Sequence, residues 1–421
     1  MKLRKLGIIG AAGALAISAA VPAFAQAPED PLGVVAIPAG EPLHIGFWGV
    51  LSGADGSLGT DSLHGVELAV DAVGGKLLDR DIQLTSEDAL CTPEGGATAA
   101  TKMAADTTLV GLIGSSCSDE TVGGIATLTS AGLTTISPSA TRPTLTAPDR
   151  DPSYAGFLRT AHSDAFQGLA VAQWAKEKGI TKAATIHDGS AYAEALQQVF
   201  ADAFTEAGGT ITDQEAVTKD QTDMHSVLTT IAASGPELIY LPIFTAAGAY
   251  IVAQSSEVEG LDGVTLAGSD GIFNPDFIKA AGPNVEGFFL SSPDFSKFGA
   301  GYADLLAAYK TKYGSDPTAV FHAHAYDATG ILFQAIQKVA TTDADGTTYI
   351  PKGALRDAIY ATTDYPGIIG NLTCSASGDC GSPAIAIYEV SADNVANGTV
   401  PTVPVWPTGD STASPAASPA G

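Results

Sequence analysis

Positive charge is scarce in this chain of 421 residues: 20 Lys and Arg stand against 46 Asp and Glu, a formal charge of -26. Such a surface repels nucleic acid and anionic lipid, so neither is expected as a partner. It offers no broad field to steer anions, and any carboxylate taken up must be held by local donors. The four cysteines, Cys91, Cys117, Cys374 and Cys380, lack the paired C-x-x-C spacing of a zinc site. Neither G-x-x-x-x-G-K-[ST] nor G-x-S-x-G occurs, which argues against nucleotide hydrolysis on a phosphate loop and against secreted-esterase chemistry. The one His-x-His, His322 and His324, falls at a helix start with its rings on different faces, and reads as a surface or hinge feature. No metal and no cofactor is therefore expected. His187 and Asp188 read as a strand end and the cap of the next helix, not as acid–base machinery.

What the chain does have begins with MKLRKLGIIGAAGALAISAAVPAFAQ, where basic residues precede a short apolar run and a small-x-small end at Ala23 and Ala25. This is the pattern of a cleavable secretory signal peptide, residues 1–25. No cysteine follows the expected cleavage point, so no lipid anchor is expected, and the periplasm is the expected location. No later segment is long and apolar enough to span a bilayer. In an exported chain four cysteines favour two disulfides, with three possible connectivities. Cys91 and Cys117 each follow a strand that ends at one sheet edge, which favours that pair. Cys374 and Cys380 bracket the turn SASGD and are placed to staple a hairpin of 370–374 with 384–390.

From residue 43 onward strands and helices alternate. The apolar residues Leu63, Val66, Val70 and Val73 keep a helical period, whereas Ile82 and Leu84 alternate as in a strand. The expected fold class is α/β, with two doubly wound Rossmann-like lobes joined by a three-segment hinge near Ala161, Pro293 and Ala384. The expected division is a flexible leader at 26–42, a first lobe of 43–161 plus 293–384, a second of 162–292 plus 385–405, and a disordered tail at 406–421.

Residues 110–141 read as strand, small polar turn, helix, strand and a second small polar turn. Parallel strands joined by a crossover helix place both turns at one edge, where α/β proteins bind ligands. Ser115, Ser116 and Ser118 precede a helix predicted to begin near Thr121, so hydroxyls and free N–H groups converge there, a seat for an anionic group. With no strong base or nucleophile motif beside them, binding is expected and catalysis is not.

These residues and their order resemble the leucine/isoleucine/valine-type periplasmic binding proteins, the receptors of ABC importers. The matching pieces are IGFWGVLSG (45–53), the C…GSSCS pair, ISPSATRPTLT (136–146), RTAHSDAFQG (159–168), HDGSAYAEAL (187–196), GSDGIFN (268–274) and AYDATGIL (325–332). The resemblance implies that Ser118 and Thr141, with a backbone contact at Ser139, hold an α-carboxylate. It implies that Asp270 and Tyr192 meet the α-ammonium, with Tyr326 as a further contact. Leu58 and Phe244 fall where relatives place aromatics and would make the side-chain pocket apolar. The implied ligand is an aliphatic amino acid, and the implied partner is a membrane permease of an ABC transporter, served by a monomer. A same-fold binder of an amide, urea or aromatic acid, a sensory module, and a secreted hydrolase acting through Ser118 are the competing readings.

Overall fold

The structure, a computed structural model, describes residues 28–407. The expected signal peptide and nearly all of the expected tail lie outside the described residues. Two main sheets organise the rest. The first runs Lys76–Leu77, Arg80–Asp88, Leu43–Gly49, Leu109–Gly114, Thr135–Ser137, Phe157–Arg159 in spatial order. Every neighbouring pair from Arg80–Asp88 onward is parallel. Leu43–Gly49 is buried along its whole length, as a central parallel strand covered by helices on both faces must be. At Gly49 a Cβ would lie 2.1 Å from Ser116 Oγ, so the glycine lets the serine turn approach the strand end closely.

The second sheet runs Pro404–Trp406, Ile385–Glu389, Phe289–Pro293, Thr265–Gly268, Leu238–Leu241, Lys182–His187, Thr210–Ala216. The last two strands of the chain join it antiparallel and the others are parallel. The chain leaves the first sheet after Arg159, leaves the second after Pro293 to pack helices Gly301–Tyr313 and His322–Val339 on the first lobe, and returns before Ile385. A two-lobed α/β architecture is thus in place. Among the described residues no helix is long and apolar enough to cross a membrane.

Several local expectations need correction. The leader contains a strand, Val34–Ile37, paired antiparallel with Thr348–Pro351, because Val35 and Ile37 bury their side chains in the first lobe's core. The expected hairpin of 370–374 with 384–390 does not form. Gly370–Leu372 pairs with Tyr365–Gly367, while Ile385–Glu389 is drawn into the second sheet by four consecutive buried residues. Trp406, assigned to the tail, ends an edge strand and is buried. His322 and His324 are buried: His322 Nδ1 lies 3.1 Å from Asp61 Oδ2, and the helix starts at His322, before both rings. Asp188 orders its own turn through Ser190 and also accepts from Phe244 N at 2.9 Å, while Ser190 caps the helix.

Both disulfides pair as favoured, Cys91 with Cys117 and Cys374 with Cys380. The helix after the first serine turn begins at Ser118, three residues before the predicted start, for a reason that lies in Glu120. Its buried carboxyl reaches back to accept from Ser116 N (2.8 Å), Cys117 N (2.9 Å) and Cys91 N (2.9 Å), winding the turn early and tying it to the neighbouring loop. A second buried anchor is Arg159, 0% exposed. It donates to the carbonyls of Ala140 and Arg142, to Thr146 and to Asp379, so it joins the second serine turn to the Cys374–Cys380 loop at the first crossing.

Two outcomes follow from these anchors. Arg159→Met leaves two buried carbonyls and a partly exposed carboxylate without their donor, and should lower unfolding free energy in a denaturant titration by about 3 kcal/mol. Burial pushes the Glu120 carboxyl from 4.5 up to about 7 against the pull of its three N–H donors. The folded state therefore holds that proton more tightly than the unfolded chain, so the stabilisation is present below pH 4.5 and lost as pH rises through about 7. The stability advantage of wild type over Glu120→Gln, read from melting temperatures across that window, should shrink as pH rises; growth with pH would contradict the assignment.

Candidate functional site

Serine turns of the first lobe face turns of the second across a cleft. Strand Leu109–Gly114 ends in Ser115–Cys117, and strand Thr135–Ser137 ends in the turn that carries Ser139 and Thr141. Ser139 Oγ donates to Ser116 O at 2.8 Å, and Ser137 Oγ donates to Ser115 O at 2.7 Å, so the two turns are stitched together. From the other side, strand Thr265–Gly268 delivers Ser269 and Asp270, and the start of helix Ala191–Glu206 delivers Tyr192. The gap between them is narrow, a cavity of only about 10 Å³, and is lined by Leu58, Ser116, Ser118, Ser139, Tyr192, Phe244, Asp270 and Phe321 together with Cys117 and Gly271. None of these lining residues is basic.

Six of the eight residues singled out from sequence meet here: Ser118, Ser139, Tyr192, Asp270, Leu58 and Phe244. Thr141 is not in the lining; it is buried, with its hydroxyl unpaired by geometry among the described residues. Tyr326 does not join them. The helix that carries it turns it to a separate groove on the first lobe with Leu68, Leu305, Asp327 and Tyr365, because Ala325 and Ala328 occupy the inward face.

Asp270 is the electrostatic centre. It is 4% exposed. Its carboxylate accepts from the Tyr192 hydroxyl, which also lies 2.7 Å from Ser269 Oγ, and from Gln167 Nε2 at 3.3 Å. His162 Nε2 stands 3.5 Å from the other oxygen. Burial holds the His162 imidazole below its ordinary range, and it is therefore a weak candidate for a counter-cation. Burial, reinforced by Asp270, keeps the Tyr192 phenol protonated and thus a donor. The opposite wall presents Ser116 Oγ, buried and unpaired, beside Ser118, whose Oγ accepts from Arg142 N at 3.2 Å. Serine hydroxyls of the first lobe and a carboxylate of the second line the cavity together with the apolar Leu58, Phe244 and Phe321.

Contacts between the lobes surround the gap. Asp119 accepts from Ala191 N with both oxygens at 3.1 Å, and Asp55 from Thr245 N at 3.3 Å, so first-lobe carboxylates meet the N-termini of two second-lobe helices. Lys219 Nζ returns the contact, donating to Cys91 O at 2.9 Å while lying 4.8 Å from the Phe244 ring. Ser116 was named from sequence with Ser115 and Ser118 as part of the serine turn, whereas Phe321, Gln167, His162 and Asp164 were not singled out. Three of them stand in RTAHSDAFQG, a segment read only as a piece of the resemblance.

The sequence profile described as periplasmic binding protein matches residues 42–396. A leucine-, isoleucine-, valine-, threonine- and alanine-binding protein of Pseudomonas aeruginosa is 23% identical over 358 residues, 84% of this chain and 91% of that protein. Among solved structures, a branched-chain amino acid transporter substrate-binding protein of Streptococcus pneumoniae, in complex with isoleucine, superposes with a TM-score of 0.73 at 24% identity, covering 86% of this chain and 98% of its own. A solute-binding protein of an ABC transporter from R. palustris, in complex with benzoate, superposes with a TM-score of 0.71 at 20% identity, over 86% and 97%. At such identities the likeness to solved structures is one of fold. The match of the profile across both lobes is one of family: the chain belongs to the periplasmic binding proteins, with the two-lobed type I fold.

Proposed function

We propose that this protein captures an aliphatic amino acid of the branched-chain kind between its lobes and delivers it to the permease of an ABC transporter in the periplasm. The observation that carries this reading is the polarity of the cavity: a buried carboxylate, Asp270, opposite serine hydroxyls, with no basic residue in the lining. A zwitterion taken out of water needs charge-assisted partners at both ends. Ser118, Ser139 and Thr141 would take the carboxylate, Asp270 and Tyr192 the ammonium, and Leu58, Phe244 and Phe321 the side chain. An aromatic acid such as the benzoate of the R. palustris relative has no cation to offer Asp270. No bond is made or broken, so the protein acts as a receptor and not as an enzyme.

In this reading the moving bodies are 34–161 plus 293–384 and 162–292 plus 385–406, and the ligand favours closure by touching both. The relatives support the ligand class by what they bind, and the P. aeruginosa protein is named for five aliphatic or small hydroxylated amino acids.

The test is thermal melting of the mature protein against the twenty amino acids, short amides, urea and benzoates. A ligand of the folded state adds about 2.7 kcal/mol of stability at a hundredfold excess over its dissociation constant. Aliphatic amino acids should raise the melting temperature, and Asp270→Asn should weaken the best of them by about tenfold or more, the loss of a hydrogen bond to a charged group. A response confined to benzoates, amides or urea would overturn the amino-acid reading.

A further inference from the structure

Behind the cavity lies a second carboxylate that neither the resemblance nor the lining accounts for. Asp164 opens helix Asp164–Glu177 at the first crossing, where its backbone N donates to Thr141 O at 2.9 Å. Its side chain is 0% exposed, and neither carboxylate oxygen has a hydrogen-bond partner among the described residues. Thr141 Oγ1 also lacks a partner of good hydrogen-bond geometry among the described residues, yet stands close enough to Asp164 to favour its ionised form. A buried anion without donors is among the costliest arrangements in a protein, and a neutral carboxyl is the ordinary escape.

The charged and titratable groups around Asp164 come from every element packed against it. Arg159 precedes it on the strand Phe157–Arg159, its guanidinium already committed to Asp379, Thr146 and two carbonyls. Asp270 faces it from the turn after Thr265–Gly268, with His162 against that carboxylate. Tyr192 and Tyr240 face it from helix Ala191–Glu206 and strand Leu238–Leu241, and both phenols stay protonated, chiefly through burial. Burial first and Asp270 second raise the Asp164 carboxyl well above its ordinary range, while Thr141 and Arg159 pull the other way. Among the described residues no free cation balances the two acids.

We propose that Asp164 is a second acidic partner for the ligand's ammonium, protonated while the cleft holds no cation and ionised when one arrives. The inference rests on the amino-acid reading above. In the binding step the O–H bond of the Asp164 carboxyl breaks and its proton leaves to solvent. The ammonium keeps its three hydrogens and lies between the Asp164 and Asp270 carboxylates. Binding is then linked to proton release, and affinity rises with pH until Asp164 is ionised without ligand. With no basic residue in the lining, the site also discriminates against a carboxylic acid that lacks a cation, since such a ligand leaves Asp270 unanswered while Asp164 stays protonated.

Calorimetry of the best amino acid in two buffers of different ionisation enthalpy, at mildly acidic pH, counts the protons exchanged. Wild type should release close to one proton per ligand, and Asp164→Asn, which keeps the shape and removes the titration, should release none. Infrared difference spectroscopy of the wild type gives an independent reading: a protonated-carboxyl band should vanish on adding the amino acid and be absent from Asp164→Asn. Binding without proton release in wild type, or equal release by Asp164→Asn, would overturn the assignment, the latter placing the proton on another group such as Asp270. Absence of any amino-acid heat in wild type would instead overturn the amino-acid reading itself, and this inference with it.

Discussion

A carboxylate withdrawn from water must be answered by donors within reach, and the cleft of this protein is arranged around that requirement. Asp270 is met from within its own lobe by a phenol and an amide, from Tyr192 and Gln167, and by an imidazole that burial keeps neutral. These neutral groups orient the carboxylate without neutralising it. The opposite wall holds serine hydroxyls and turn backbone, which suit an anion. The charge left over on one side and the hydroxyls left over on the other define what the gap between the lobes can accept.

The fold makes that opposition possible. Parallel strands place the serine turns at one edge of the first sheet, and Tyr192 and Asp270 at the matching edge of the second. Glu120 and Arg159 then hold the two serine turns in place from below, each through several hydrogen bonds that no surface pair could maintain in water. Around the rim, Asp119 and Asp55 cap helices of the other lobe and Lys219 reaches back to Cys91, so the lobes touch at points that need not involve a ligand. A chain with so little positive charge uses one lysine here, close to Phe244 and between two acids of the facing lobe.

The repeating strand–helix pattern and the ends of most strands were legible in sequence, because buried parallel strands are apolar throughout and their helices keep a 3.6-residue period. Six of the eight residues singled out gather at one gap because strand ends and turns determine their place. What was not legible depended on tertiary partners. The helix at Ser118 starts early because Glu120 is buried against backbone N–H groups of two loops, one of them distant in sequence. Tyr326 faces a different groove because it stands about 100° round the helix from the core-facing Ala325. Ile385–Glu389 pairs with a strand of the other lobe, although the disulfide loop just before it suggested a local hairpin. Asp164 carried no pattern at all; an acid after a serine reads as an ordinary helix start, and only its burial without a partner distinguishes it.

The most direct measurement is a crystal structure of the mature chain grown with the amino acid that stabilises it most. Density bridging the lobes, with a carboxylate on Ser118 and Ser139 and an ammonium on Asp270, is the result expected. A ligand seated with its carboxylate toward Asp270, or bound outside this cleft, would contradict the account.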